Sequence, residues 1–98
     1  MSQTAYLSAI AVDQWLLTGR LDFKSVPSLS QAPQGWSATK KLTIDLAGVE
    51  YSNSAGLVLL TAWLRFAKAN AITMNFINPP AQMRAIAKLS GLETILKF

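Results

Sequence analysis

Residues 42–69 constrain the fold more than any other stretch of this sequence. Leu42, Ile44 and Leu46 alternate with polar residues, which is the period of a strand with one buried face. A short polar segment, residues 51–54, follows, and an apolar helical pattern begins directly after it. A strand that leads into a helix through a short turn places the turn's side chains and free backbone N–H groups at the edge of the sheet. We therefore expect the functional surface at this corner.

The corner offers three successive candidate N-caps, Ser52, Asn53 and Ser54, since all three side chains carry an oxygen that can accept a helix N–H. Ser54 has two interpretations. As a cap, its replacement by Ala would cost about 1 kcal/mol. As a functional hydroxyl, it would be a phosphate acceptor or a partner contact at the positive end of a helix, where an anion is tolerated. The residues alone favour the cap.

The helix predicted over residues 54–69 is apolar around most of its circumference. One apolar cluster is Leu57, Leu60, Leu64 and Ala67, the second is Ala55, Leu59, Ala62 and Phe66, and Trp63 lies between them. This arc is wider than the roughly 100° that a helix needs to cover a sheet face. Either a neighbouring helix covers the excess, or the second cluster is a docking surface for another protein. The sequence leaves both open.

Upstream, residues 6–12 and 15–18 have the pattern of two strands joined by a tight turn. A short helix is predicted near Ser25, because Pro27 fits only in a first helical turn. Residues 30–40 are rich in Pro, Gly and Ser and are predicted to be a loop. Trp36 within it either packs under the core or is exposed.

Downstream, residues 72–77 have the pattern of a strand, and Asn78 is the predicted N-cap of a helix whose first positions are prolines. This helix should direct Gln82 towards solvent and end at Gly91. The element order predicts one α/β domain, residues 1–98, with a four- to five-stranded mixed sheet. Helices should pack mainly on one face, through right-handed crossovers between parallel strands.

Composition argues against catalysis. The chain has no Cys and no His, so disulfides, thiol chemistry and the usual metal ligands and general bases are missing. Asp45 and Glu50 are the acids near the corner, and Asp45 is expected to be a structural hydrogen-bond acceptor. Neither a GxGxxG nor a Walker pattern occurs. We expect no enzyme, no cofactor and no metal, and the missing phosphate motif also argues against a lipid- or nucleotide-binding module.

The net charge of +4 comes from scattered basic residues without interleaved aromatic side chains, so no nucleic-acid platform is predicted. The longest uncharged, largely apolar run, residues 55–64, is too short to insert into and span a membrane. Because the first residues lack the layout of a signal peptide, we expect a cytoplasmic protein.

Two motifs resemble the signature of the STAS domain family. Residues 42–49 match its hydrophobic strand ending in Asp-Leu with a Val three residues on, and residues 53–57 match the Asp-Ser/Thr-x-Gly-Leu that opens its helix. Residues 19–22 are similar to its Gly-x-Leu-Asp element. The resemblance covers nearly the whole chain and implies the STAS-like (SpoIIAA-like) fold.

The resemblance implies two functions, of which the first is the one expected for this sequence and the second is the alternative. In the MlaB-like branch, the domain is a cytoplasmic subunit that binds the ATPase of the Mla phospholipid-transport ABC system, which maintains outer-membrane lipid asymmetry, and it is peripheral at the inner membrane through that partner. In anti-sigma factor antagonists, the partner is an anti-sigma factor kinase. The functional Thr of the first and the phosphorylated Ser of the second both map onto Ser54. This sequence departs from both at Asn53, where the family usually has Asp.

These arguments together predict a non-enzymatic interaction domain. Its docking surface is predicted to be the corner and the adjacent helix face, with Ser54 also a candidate phosphorylation site. The predicted partner-binding residues are Ser52, Asn53, Ser54, Ala55, Leu59, Ala62 and Phe66.

Overall fold

A computed structural model describes residues 5–31 and 34–98. In chain order the elements are β1 (Ala5–Ala11), β2 (Gln14–Leu21), a first 3-10 helix (Val26–Leu29), a second 3-10 helix (Gln34–Ala38), β3 (Lys41–Ser52), α1 (Ser54–Ala69), β4 (Thr73–Ile77), α2 (Ala81–Leu89) and α3 (Glu93–Leu96).

The four strands form one mixed sheet in the order β1-β2-β3-β4. The β1–β2 pair is antiparallel, as expected for strands joined by a tight turn, and the β2–β3 and β3–β4 pairs are parallel. Parallel neighbours need crossover connections, which the 3-10 helices and α1 supply. The predicted mixed sheet is confirmed, with four strands, and the C-terminal element is the short helix α3.

One face of the sheet carries the core. Leu42, Ile44 and Leu46 of β3 are fully buried, and Leu17 of β2 and Phe76 of β4 join them. The intervening β3 positions point to the opposite face and are only half-buried, as the period of two requires. The helices therefore pack on one face, as predicted.

The Trp36 side chain packs against the wide apolar arc of α1. It is fully buried, and its ring makes edge-on contacts with Trp15 and Trp63 at centroid distances of 5.9 and 5.3 Å. The Trp63 indole Nε1 donates a hydrogen bond to the Leu29 carbonyl oxygen at 3.1 Å. A connecting segment thus covers part of the arc. The loop prediction for residues 30–40 is wrong at Gln34–Ala38, which form a 3-10 helix.

The predicted cap of α2 is also wrong. The helix begins at Ala81 with Pro80 as its cap residue, and Asn78 adopts a left-handed backbone with φ 56°. The Asn78 side chain turns back to the sheet, where its Nδ2 donates to Asp45 Oδ1 at 3.2 Å. The same carboxylate oxygen accepts from the Ala47 backbone N at 2.9 Å, so Asp45 is a structural acceptor, as expected.

Candidate functional site

The corner between β3 and α1 is closed by Asn53. Its backbone is extended, and its side-chain Oδ1 accepts a hydrogen bond from the Ala55 backbone N at 2.8 Å. Its own backbone N donates to the Leu21 carbonyl oxygen at 3.1 Å. Of the three candidate caps, Asn53 is therefore the N-cap, and it also joins the start of α1 to the end of β2.

Ser52 lies beneath this cap and is fully buried. Its backbone N donates to Gln82 Oε1 at 3.0 Å, and its carbonyl oxygen accepts from Gln82 Nε2 at 2.8 Å. One primary amide from α2 thus makes the pair of hydrogen bonds that a neighbouring strand would make. Gln82 is exposed, as predicted. Its side-chain amide also pairs with this end of β3, which has no strand partner on that side among the described residues.

Gly56, in the first turn of α1, allows the helix to approach the sheet closely. A Cβ at this position would overlap the Ser52 hydroxyl oxygen and would lie 3.0 Å from the Leu21 Cβ. Real Cβ atoms rarely come so close to a neighbouring heavy atom in a packed interior. The glycine therefore fixes how deeply the start of α1 is seated.

Ser54 is the first residue of α1 and is exposed. Among the described residues its hydroxyl has no hydrogen-bond partner, in contrast to the hydroxyl of Ser52, which donates to the Asn53 carbonyl oxygen at 2.9 Å. The first turn of α1 contains no acidic residue, so no side chain within that turn offsets the positive end of the helix dipole. A hydroxyl in this position is available to a partner or to a phosphoryl donor.

A turn at Asp22 positions the first 3-10 helix beside this corner. The Asp22 carboxylate Oδ1 accepts from the backbone N atoms of Lys24 and Ser25 at 2.9 and 3.0 Å. The hydrogen bond from the Ser25 backbone is the main reason that the pKa of Asp22 lies below its usual value of 3.8. The buried Ser25 hydroxyl donates to the Arg20 carbonyl oxygen at 2.6 Å. The segment that follows β2 is therefore held in place by its own polar groups.

An apolar patch lies next to Ser54, between this segment and α1. Phe23 is 71% exposed and Val58 is 63% exposed, and both line a small cavity of about 150 Å³ together with Val26, Pro27 and Ala55. Large apolar side chains exposed to this extent and grouped together mark an interaction surface more often than scattered ones do. Val58 follows Ser54 by four residues, so both lie on one side of the helix.

The structure divides the predicted partner-binding residues into three groups. Ser52, Ala55 and Leu59 are buried, with exposed fractions of 3% or less, so the prediction that they lie on a docking surface is wrong. Leu59 belongs to the same buried core as Trp36 and Trp63. Ala62 and Phe66 are half-buried, and the Phe66 ring lies 6.4 Å from that of Trp36. Asn53 and Ser54 remain accessible.

The sequence argument missed Phe23 and Val58. The position of Val58 could have been predicted, because its spacing from Ser54 places both residues on one side of the helix. The position of Phe23 could not, because Phe23 reaches the patch only through the turn at Asp22. We define the Ser54 patch as Phe23, Asn53, Ser54 and Val58.

In residues 5–31 and 34–98, no three His, Cys, Asp or Glu side chains come together as a metal site would need. Over the same residues, no helix combines the length and the apolar character needed to cross a membrane.

Comparison with solved structures shows the same fold elsewhere. SpoIIAA, an anti-sigma factor antagonist solved in its unphosphorylated form, superposes with a TM-score of 0.67 at 18% identity, over 92% of this chain and 83% of that chain. An anti-sigma factor antagonist from Mycobacterium paratuberculosis gives a TM-score of 0.70 at 23% identity, over 93% of this chain and 80% of that one. No curated protein matches.

The comparison with protein families is more specific. The family model described as "Mlab, STAS domain" matches residues 11–97. This match includes β3, the Asn53 cap, Ser54 and the whole of α1. The chain therefore belongs to the MlaB-like STAS domain family.

Proposed function

We propose that this protein is a non-enzymatic regulatory subunit that binds the ATPase of an Mla-type phospholipid-transport ABC transporter through the Ser54 patch. The observation that carries the proposal is the exposed Ser54 hydroxyl, which makes no hydrogen bond within residues 5–31 and 34–98, beside the exposed apolar side chains of Phe23 and Val58. The match to the MlaB-like family model supports this class of partner. The protein would then reside in the cytoplasm, peripheral to the inner membrane through the ATPase.

The patch has the composition of an interface centre. Phe23 and Val58 can each insert into an apolar recess, and the cavity of about 150 Å³ between them can receive one apolar side chain in return. Ser54 and the helix N-terminus add a polar contact that favours an acceptor or an anion on the partner. Because the patch is small, shape and hydrogen bonding would decide specificity.

Regulation would follow from differential binding. A subunit that contacts one conformation of the ATPase better than another shifts the equilibrium towards the better-bound conformation. The patch sits on two segments that are anchored to the sheet, the turn at Asp22 and the start of α1. A rigid surface of this kind loses little conformational freedom on binding.

Co-expression with the ATPase of the same transport system tests the proposal. Ser54→Glu and Val58→Asp should each abolish co-purification of the ATPase, since the first adds a side chain and a charge at the centre of the contact and the second places a carboxylate in the apolar part. Ser8 provides the matched control, because it is an exposed serine of β1 on the other side of the molecule's core. Ser8→Glu should co-purify at wild-type yield. If Ser54→Glu and Val58→Asp fold normally and retain the ATPase, the patch is not the interface.

The exposed Ser54 hydroxyl also supports a second function. In an anti-sigma factor antagonist, an exposed serine at this position would be phosphorylated and would release or capture a kinase, and two such antagonists share this fold. Incubation with the cognate kinase and ATP would then add about 80 Da to the wild-type protein and nothing to Ser54→Ala. An unchanged wild-type mass would reject this second function and leave the first standing.

A further inference from the structure

β4 forms one edge of the sheet and has a strand neighbour on one side only. Its first residue, Thr73, donates its backbone N–H to the Lys40 carbonyl oxygen at 2.9 Å, towards β3. Because the backbone groups of a strand alternate in direction, the N–H and C=O groups of Met74 and Phe76 point away from β3. Among the described residues, no hydrogen bond to another segment occupies these outward groups.

A groove of about 470 Å³ follows this edge, between β4 and α3. Its apolar lining includes Leu64, Met74 and Phe76, and Ile95 on α3 is 56% exposed. Met74 and Phe76 are themselves buried, so the accessible apolar surface of the groove comes from Leu64 and Ile95. The groove therefore combines an unpaired strand edge with apolar surface beside it, which are the two requirements for adding a peptide strand to a sheet.

The groove also has a definite charge. Among the described residues that line it, Lys41 and Lys97 are charged and none is acidic. The lysines come from two different elements, the start of β3 and the residue that ends α3. A second copy would bring the same two cations and no acidic lining residue to this groove, so it offers no charge complementarity, whereas an acidic partner does. The charge therefore selects an acidic partner over a second copy.

The edge lacks the usual protection against strand addition. Exposed edges are commonly blocked by lysine, proline or a bulge within the strand. β4 has the sequence TMNFI, which contains no charge and no proline, and its pairing with β3 runs without a register shift.

We propose that the β4 edge is a second binding site, separate from the Ser54 patch, which takes an extended acidic segment of a partner protein as a fifth strand. The outward backbone groups of Met74 and Phe76 pair with the segment, its apolar side chains enter the groove, and its acidic residues lie near Lys41 and Lys97.

The acetylated and amidated peptide Glu-Val-Thr-Val-Glu is the probe for this site. Titrated into the full ¹⁵N-labelled chain at low salt, it should shift the amide signals of Met74 and Phe76 and slow their hydrogen exchange. The same peptide with its valines and its threonine N-methylated keeps its charge and side chains but cannot donate backbone hydrogen bonds to β4 from these positions in either strand direction. This modified peptide should lose the shifts and the protection.

Two double variants with the same change in net charge test the electrostatic part. Lys41→Glu with Lys97→Glu should weaken binding of the acidic peptide about tenfold at low salt and should allow Lys-Val-Thr-Val-Lys to bind. Lys68→Glu with Lys88→Glu, which alters exposed lysines outside the groove, should leave both affinities near those of the wild type. Ser54→Glu should also bind the acidic peptide normally, so this test does not depend on the function proposed above.

Four results of the binding experiments would overturn the proposal. They are equal binding of the N-methylated peptide, equal weakening by both double variants, shifts confined to the Ser54 patch, and no binding at millimolar peptide. Dimerisation of the free protein through β4 would also overturn it, because a second copy would then be the occupant.

Discussion

Asn53 and Ser54 are adjacent in the chain and have different physical roles. Asn53 turns its side chain back onto the helix and satisfies the backbone N of Ala55, whereas Ser54 turns its hydroxyl to solvent. Because the two roles belong to different residues, a partner can reach the Ser54 hydroxyl without breaking the Asn53 cap. The corner can therefore be stable and still accessible to a partner. Neighbouring candidate caps cannot be ranked from sequence, because the choice depends on which residue takes the extended backbone conformation.

Substitutions at these two positions should separate the roles. Asn53→Ala should lower the free energy of unfolding by about 1 kcal/mol through loss of the cap. Asn53→Asp should keep the cap and add a charge that favours the helix dipole, for a gain of a few tenths to about 1 kcal/mol. Ser54→Ala should change stability by less than about 0.5 kcal/mol, since the Ser54 hydroxyl has no hydrogen-bond partner in the described part of the chain. Urea unfolding measures all three, and a large loss in Ser54→Ala would show that Ser54 supports the fold.

Gly56 should tolerate no side chain. Gly56→Ala raises helix propensity, yet the added Cβ overlaps the Ser52 hydroxyl oxygen and crowds Leu21, so we expect a net loss of about 1–3 kcal/mol. Gly35 is the control, because a Cβ there meets nothing within 4 Å. Gly35→Ala should stay within about 0.5 kcal/mol of wild type. Equal effects in thermal unfolding would mean that the start of α1 can move away from the sheet.

At the scale of elements, local pattern predicted most of the fold. The alternation in β3 and the helical spacing after Asn53 identify a strand and a helix because each has one clearly apolar face. The wide arc of α1 could not be assigned in the same way. Part of its cover is Trp36, from a segment whose Pro, Gly and Ser content indicates a loop, and its burial depends on contacts with Trp15 and Trp63 that lie far away in sequence.

The site could be predicted only in part, because part of it depends on contacts between residues that are distant in sequence. Ser54 could be found because its position relative to the strand and helix is local. Leu59 was assigned wrongly to a surface because exposure of a helix face depends on what packs over it. Phe23 was missed because its location depends on the turn formed by Asp22 and Ser25.

Gln82 joins α2 to the end of β3, and its removal should be costly although the residue is exposed. Gln82→Ala leaves the Ser52 N–H and C=O without their partners, with an expected loss of about 1–3 kcal/mol. Arg84→Ala, at an exposed position of the same helix, should cost less than about 0.5 kcal/mol. Hydrogen exchange adds a local measurement, in which the Ser52 amide should lose protection in Gln82→Ala alone. An unchanged Ser52 amide would show that other contacts hold this end of β3.

At the scale of the whole molecule, a single core is assembled from distant parts of the chain. Buried members come from all four strands, from α1, α2 and α3, and from the segment that carries Trp36. A core shared in this way favours all-or-none unfolding, because no part retains a separate apolar cluster.

We therefore expect tryptophan fluorescence and far-ultraviolet circular dichroism to give one coincident unfolding transition. The chain has three tryptophans, and Trp36 contacts both of the others. Fluorescence therefore reports the covering segment, while circular dichroism reports the sheet and helices. A fluorescence change at lower denaturant would mean that the segment detaches before the rest unfolds.

The hydrogen bonds at the corner between β3 and α1 are made by groups that do not titrate near neutral pH. Asn53 and Gln82 are amides and Ser52 contributes its backbone and a hydroxyl, none of which gains or loses a proton over the physiological range. The nearest carboxylate that shapes the patch, Asp22, has a lowered pKa and remains ionised except in strong acid. The corner should hence keep one shape through swings in cellular acidity, and control over its binding would have to come from a covalent mark or from the partner's own state.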